Sequence, residues 1–119
     1  MNNLNVKNIA EELIDTFLEA GNIAKKISHK GVKITIKDDK TPVTNGDLEV
    51  DRLLRKKISI LTPKITIISE ETVNLRQKNE NKDFWLIDPI DGTKDYINKR
   101  DEYTLNAALI INLKPAIGI

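Results

Sequence analysis

The sequence predicts an α+β fold in layers, with two amphipathic helices packed on a mostly antiparallel sheet. Three observations predict it. Apolar residues recur at spacings of three and four over residues 3–28, the same spacing returns from Thr44 to Leu61, and short β-branched or alternating runs occupy residues 32–37, 65–68, 84–87 and 103–113.

The first helix draws its stripe from Val6, Ile9, Ala10, Leu13, Ile14, Phe17, Leu18, Ala24 and Ile27. Gly21 interrupts the stripe and marks either close packing or a small bend. His29 and Lys30 before Gly31 suit a helix end, where cations meet the negative end of the dipole and glycine accepts a positive φ. Val32 to Lys37 alternates with period two and reads as a strand, and Asp38-Asp39-Lys40 as a polar turn. A second helix opens at Thr44, with Leu48, Val50, Leu53, Leu54, Ile58 and Leu61 inward, and Thr62-Pro63 stops it. Ile65-Thr66-Ile67-Ile68 reads as a buried strand. The polar stretch 72–83 holds little to bury and reads as a surface loop. Phe84 to Ile87 is the next strand, Lys94 to Asn98 a short helix, and Tyr103 to Leu113 a strand that turns at Asn112-Leu113-Lys114-Pro115. Ala116-Ile117-Gly118-Ile119 begins a returning strand and leaves an open sheet edge, a surface for self-association.

At 119 residues the chain is the size of one small domain. Nineteen basic and 18 acidic residues give a net charge of +1, which supplies no basic field for a nucleic acid polymer or an acidic membrane; free nucleotides remain possible ligands. No cysteine and one histidine exclude disulfides and thiolate metal sites and argue against a histidine zinc site, so carboxylates are left as the metal ligands. The first residues carry no signal-peptide pattern and no apolar run approaches a membrane span, so a cytoplasmic protein without a transmembrane segment is expected.

Chemistry concentrates in Asp88-Pro89-Ile90-Asp91-Gly92-Thr93, where a strand ends in a carboxylate, proline turns the chain and a second carboxylate follows. Such a turn makes a cradle for a hard divalent cation, with Asp88, Asp91 and the carbonyl between them converging and Thr93 positioning a water. The competing reading is that Asp-Pro and Asp-Gly punctuate a turn and nothing more. Thr44 and Asp47 have the spacing of a capping box, a structural role that needs no chemistry. Glu70 and Glu71 follow one strand as Asp88 ends another, and neighbouring strands would bring Glu70 and Asp88 together.

Asp88-Pro-Ile-Asp-Gly-Thr93 resembles the signature of the Mg²⁺-dependent, lithium-sensitive phosphatases that include inositol monophosphatases and 3'(2'),5'-bisphosphate nucleotidases. Upstream, Thr41-Pro-Val-Thr44 with Asp47 is similar to a further motif of that family, as is Ile68-Ser-Glu-Glu71. Downstream, Lys94-Asp-Tyr-Ile97 and the segment from Glu102 to Leu109 resemble the nucleotidase branch of CysQ type. The resemblance implies the amino-terminal half of the sugar-phosphatase fold and Mg²⁺ held by Glu70, Asp88, the Ile90 carbonyl and Asp91. It implies catalysis by Glu70 and Thr93 with Asp47 polarising Thr93, and substrate contacts from Glu70, Ile90, Asp91, Gly92, Thr93 and Lys94. Lys37 is the lysine that approaches the metal site by the same resemblance. The implied reaction is hydrolysis of adenosine 3',5'-bisphosphate to AMP and phosphate.

Family members are roughly twice as long and carry a further aspartate in the absent half. The isolated chain is therefore expected to bind Mg²⁺ weakly and to turn over little substrate, which leaves open whether it is an enzyme. An inositol monophosphatase and a non-catalytic fragment or interaction module are the alternatives.

Overall fold

The structure is a computed structural model that describes residues 5–69, 83–100 and 102–119. Helix α1 (Val6–Lys30) is followed by strands β1 (Ile34–Ile36) and β2 (Pro42–Thr44), helix α2 (Asn45–Leu61), strands β3 (Thr66–Ser69) and β4 (Phe84–Asp91), the short helix α3 (Thr93–Ile97), and strands β5 (Thr104–Ile111) and β6 (Lys114–Gly118). The main sheet has the order β3-β4-β5-β6, parallel between β3 and β4 and antiparallel elsewhere, with α1 and α2 packed against it. The mostly antiparallel arrangement under two helices is the one the sequence predicts. β1 and β2 form a separate antiparallel pair.

The two long helices each begin where a polar side chain replaces a missing backbone partner. Asn5 Oδ1 accepts from Asn8 N–H at 3.1 Å to start α1, and Thr44 starts α2. His29 and Lys30 occupy the last turn of α1, and Gly31 follows at φ 107°. The buried stripe of α1 is Ile9, Leu13, Thr16, Ala20 and Ala24, narrower than the apolar pattern implied. Ile14 and Leu18 face solvent, so only part of the apolar stripe turns inward. A Cβ on Gly21 would meet nothing within 4 Å, so close packing does not explain this glycine, and α1 runs through it as one helix. Leu48 in α2 is exposed likewise, and Val50, Leu54 and Ile58 make the inner face of that helix.

The core lies between the helices and the sheet, with Leu13, Leu54, Ile58, Trp85, Ile87 and Leu109 at its centre. Trp85 Nε1–H donates to Thr62 Oγ1 at 3.1 Å, and the Thr62 hydroxyl donates to the Ile58 carbonyl at 2.8 Å. That chain satisfies a buried indole and ties the end of α2 to the sheet.

One expectation fails at Pro89. Strand β4 does not end at Asp88; it continues to Asp91 and carries a bulge. Asp88 faces Asn106 and Asp91 faces Thr104, so three steps on β4 oppose two on β5. Pro89 has no N–H to give a ladder, and a bulge is where a central strand tolerates that loss. The tight turn lies elsewhere, at Asn112 (φ 50°) and Leu113 (φ 65°), a two-residue hairpin with both φ positive. Pro115 sits within β6, the sheet's edge strand.

Candidate active site

Parity along β4 explains how two carboxylates three residues apart can serve one site. In a regular strand, residues i and i+3 point to opposite faces. Asn106 and Thr104 are two apart on β5 and share a face, and directly paired residues across a ladder point the same way, so the bulge returns Asp88 and Asp91 to one face. That face lies away from the helices, since Trp85 and Ile87 fill the core while Leu86 is 37% exposed. Asp88 is half-buried and Asp91 exposed, and the Ile90 side chain between them is buried. The shared face of the two carboxylates thus comes from a strand bulge, where the sequence reading set them on a proline turn.

Asp47 is 2% exposed and divides its carboxylate between two tasks. Oδ2 accepts from Thr44 N–H at 3.0 Å and from the Thr44 hydroxyl at 2.5 Å, while Asp47 N–H donates to Thr44 Oγ1 at 3.0 Å; both arms of the capping box are present. Oδ1 faces Thr93, whose hydroxyl lies 3.5 Å away and 3.3 Å from the Ile90 carbonyl. Both are long contacts, and one hydroxyl proton serves one of them at a time. The capping role and a place beside Thr93 therefore coexist in one side chain, each using its own oxygen.

Gly92 links β4 to α3 at φ 95°. A Cβ there would stand 3.0 Å from the Glu102 carbonyl oxygen and 3.4 Å from Tyr103 Cα, so the backbone approach itself demands glycine as much as the dihedral does. Thr93 begins α3, one residue earlier than the sequence implies, and no side chain caps that end. Lys37, Thr41, Pro42, Gly92, Thr93, Lys94 and Asp95 line one open cleft, which brings Lys37 and Lys94 to the same depression as Thr93. Ser69 ends β3 in parallel register with Ile87, the residue before Asp88. Glu70 and Glu71, and the loop read at 72–82, lie outside the described residues. Among the described residues no group of three or more acidic, histidine or cysteine side chains could hold a metal ion.

Two residues that the sequence reading passed over hold this corner together. Tyr96 is fully buried, its hydroxyl donates to the Ala24 carbonyl at 2.7 Å, and its ring stands edge-on to Tyr103 at 4.9 Å. Burial, then neighbouring Tyr103 and the Asp47 carboxylate, push its phenol up to about 12. Its ring lies over Gly46 in the first turn of α2. A glycine inside a helix is the one signal that pointed there, because it costs stability unless something packs on it.

Comparison with known proteins meets this geometry from the other side. The profile of the inositol monophosphatase family matches residues 5–119. The chain is 33% identical over 113 residues to the 3'(2'),5'-bisphosphate nucleotidase CysQ of Aggregatibacter actinomycetemcomitans, covering 93% of this chain and 42% of that relative. Its fold superposes on a staphylococcal inositol monophosphatase-1 soaked in LiCl with a TM-score of 0.83 at 21% identity, over 95% of this chain and 43% of the other. It superposes on an IMPase/NADP phosphatase complexed with Mg²⁺ and phosphate with a TM-score of 0.77 at 22% identity, over 94% and 42%. The chain thus spans less than half the length of these relatives. With a profile match over nearly all its residues and a relative at this identity, the chain belongs to the inositol monophosphatase family.

Proposed function

We propose that these residues form one domain carrying part of the site of a Mg²⁺-dependent phosphomonoesterase that hydrolyses adenosine 3',5'-bisphosphate to AMP and phosphate. The observation that carries the reading is the divided Asp47 carboxylate facing Thr93, next to a bulge that turns Asp88 and Asp91 to one face. Asp88, Asp91 and the Ile90 carbonyl are an all-oxygen donor set, the chemistry that a hard divalent cation takes. With Glu70 they would hold Mg²⁺, which when bound sets positive charge against the phosphoryl oxygens and makes water more acidic. The nucleotide follows from the relatives named bisphosphate nucleotidase, and Mg²⁺ has its support in the neighbour complexed with Mg²⁺ and phosphate.

On this reading the chain's own residues orient the attack. When the Thr93 hydroxyl donates to Asp47 Oδ1, its lone pairs accept a proton of the incoming water and aim the water oxygen, with Glu70 as the second acceptor. Water adds across the phosphorus–O3' bond, hydroxyl to phosphorus and proton to the ribose oxygen. Lys94 and the backbone at Gly92 and Thr93 meet the phosphate, with Lys37 across the cleft. The match covers 42% of the nucleotidase relative, and the rest of the pocket comes from residues outside the match. The 119 residues alone then bind Mg²⁺ weakly and turn over little substrate.

A second reading, an interaction module, draws on the outer edge of β6, which pairs with no further strand among the described residues. One experiment separates the two: Mg²⁺-dependent hydrolysis and melting of the 119-residue chain beside Asp91→Asn. Mg²⁺ at about ten times its Kd should stabilise the wild type by about 1.4 kcal/mol, a gain lost in Asp91→Asn. Neither turnover nor a Mg²⁺-dependent shift, together with a concentration-dependent dimer, overturns the phosphatase reading in favour of the module. Preference for inositol phosphate over the nucleotide would overturn the substrate but keep the chemistry.

A further inference from the structure

We infer that Tyr96, seated on Gly46, is the positioning residue that sets the Thr93–Asp47 distance. The two contacts belong to one interface: Gly46 precedes Asp47 in the first turn of α2, and Tyr96 follows Thr93 by one turn of α3. A five-residue helix cannot hold itself in water, so its place must come from tertiary contacts. The Thr93 hydroxyl contacts of 3.3 and 3.5 Å are too long to supply it. Tyr96 supplies it in three directions, through the 2.7 Å hydrogen bond to Ala24 in α1, the ring on Gly46 in α2, and the edge contact with Tyr103 ahead of β5.

The fit at Gly46 is close. A Cβ there would stand 2.4 Å from the Tyr96 hydroxyl oxygen and 2.8 Å from Cε2 and Cζ, inside any real contact distance. The tyrosine is wedged between helices, so nothing larger than glycine at 46 leaves it in place. Any shift of the ring carries α3 with it, and Thr93 is the first residue of that helix.

The test is NMR on the labelled 119-residue chain, reading cross-peaks between Thr93 and Asp47 side-chain protons. Amide exchange at Tyr96 and Asn98, which donate to the Gly92 and Lys94 carbonyls at 3.0 Å, reads whether α3 stays docked. Gly46→Ala should remove the cross-peaks while the α1 and α2 core amides stay protected. The Gly46→Ala/Tyr96→Phe double variant should restore part of them, because the nearest crowding atom is gone. Tyr96→Phe alone should keep the cross-peaks and speed exchange at Asn98 roughly fivefold through the lost hydrogen bond. If Gly46→Ala fails to fold, Tyr96→Leu replaces it: lost cross-peaks in a folded chain support the inference. Unchanged Thr93–Asp47 cross-peaks in folded Gly46→Ala or Tyr96→Leu overturn it, whether or not α3 amides exchange faster. The bearing on hydrolysis rests on the phosphatase reading, which the Asp91→Asn assay tests apart, and the spectroscopic result stands whichever way that assay falls.

Discussion

Replacing Asp47 by asparagine separates its two tasks more cleanly than any truncation would. Asparagine keeps the shape but has one acceptor oxygen where the carboxylate has two. Thr44 presents two donors to Oδ2, at 3.0 and 2.5 Å, against one long contact at Oδ1, so the amide oxygen turns to Thr44 and the amide nitrogen to Thr93. The capping box survives in neutral form. Each of its two bonds falls from the charge-assisted range to about 1 kcal/mol, a loss of about 1 kcal/mol apiece, and the helix start loses a favourable charge. The two bonds alone come to about 2 kcal/mol, or about 8 °C in Tm at an unfolding entropy of about 0.25 kcal/mol/K for a chain this size, and the lost charge adds to it. At Thr93 the effect is a reversal: its hydroxyl must now accept from the amide, and its proton goes to the Ile90 carbonyl, 3.3 Å away. Thermal melts of wild type, Asp47→Asn, Thr44→Ala and the double variant measure the first effect, and the two losses should be non-additive because both act on the Thr44 hydroxyl bond to Oδ2. Additive losses, or an Asp47→Asn melt within a degree of wild type, would refute the division of the carboxylate.

Leu113→Gly should raise stability by about 0.5–1 kcal/mol in urea unfolding, since Leu113 holds φ 65° with its side chain 70% exposed and glycine relieves that strain without losing burial. An unchanged or lower midpoint would argue against a two-residue turn. Alkaline unfolding should depend on Tyr96. Its folded phenol sits at about 12 while an unfolded tyrosine titrates near 10, so the native state holds its proton longer. The stabilisation is full below about pH 10 and is lost as pH climbs through the window to about 12, up to about 3 kcal/mol. Tyr96→Phe should flatten that part of the pH profile relative to wild type, and parallel profiles would contradict the buried phenol.

Local patterns were legible where the physics is local. Thr44 and Asp47 stand three apart, and a capping box needs no information beyond that spacing. The α2 stripe of Val50, Leu54 and Ile58 follows likewise from neighbours in the chain, as does a turn after Ile111, although it takes only Asn112 and Leu113 and leaves Lys114 and Pro115 to β6. Signature residues gave the family through resemblance, and the family match agrees. What escaped the sequence depends on partners far along the chain. The extra step at Asp88–Asp91 exists only against β5, so proline read as a turn when it marks a bulge. Tyr96 in α3 draws no reading of its own from the sequence, because its partners, the Ala24 carbonyl in α1 and Gly46 in α2, lie far along the chain. Ile14 and Leu18 looked as inward as Leu13, because a stripe does not reveal how much of its width another layer covers.

The bulge also makes chain length, more than residue identity, the quantity to which this corner answers. Exchanging Pro89 or Ile90 for another side chain leaves the count of residues between the two acids intact. Deleting either restores the two-residue period across β4 and β5, and Asp88 and Asp91 then lie two apart on one face with no bulge to bend the strand. Everything after the deletion, Gly92 at its close approach to Glu102 included, is drawn back by one strand step of about 3.3 Å, and Thr93 with it. An insertion has the opposite fault, since four steps on β4 would then stand against two on β5 and push everything after them forward by one strand step of about 3.3 Å. Descendants of this chain that keep both acids must therefore also keep the two residues between them.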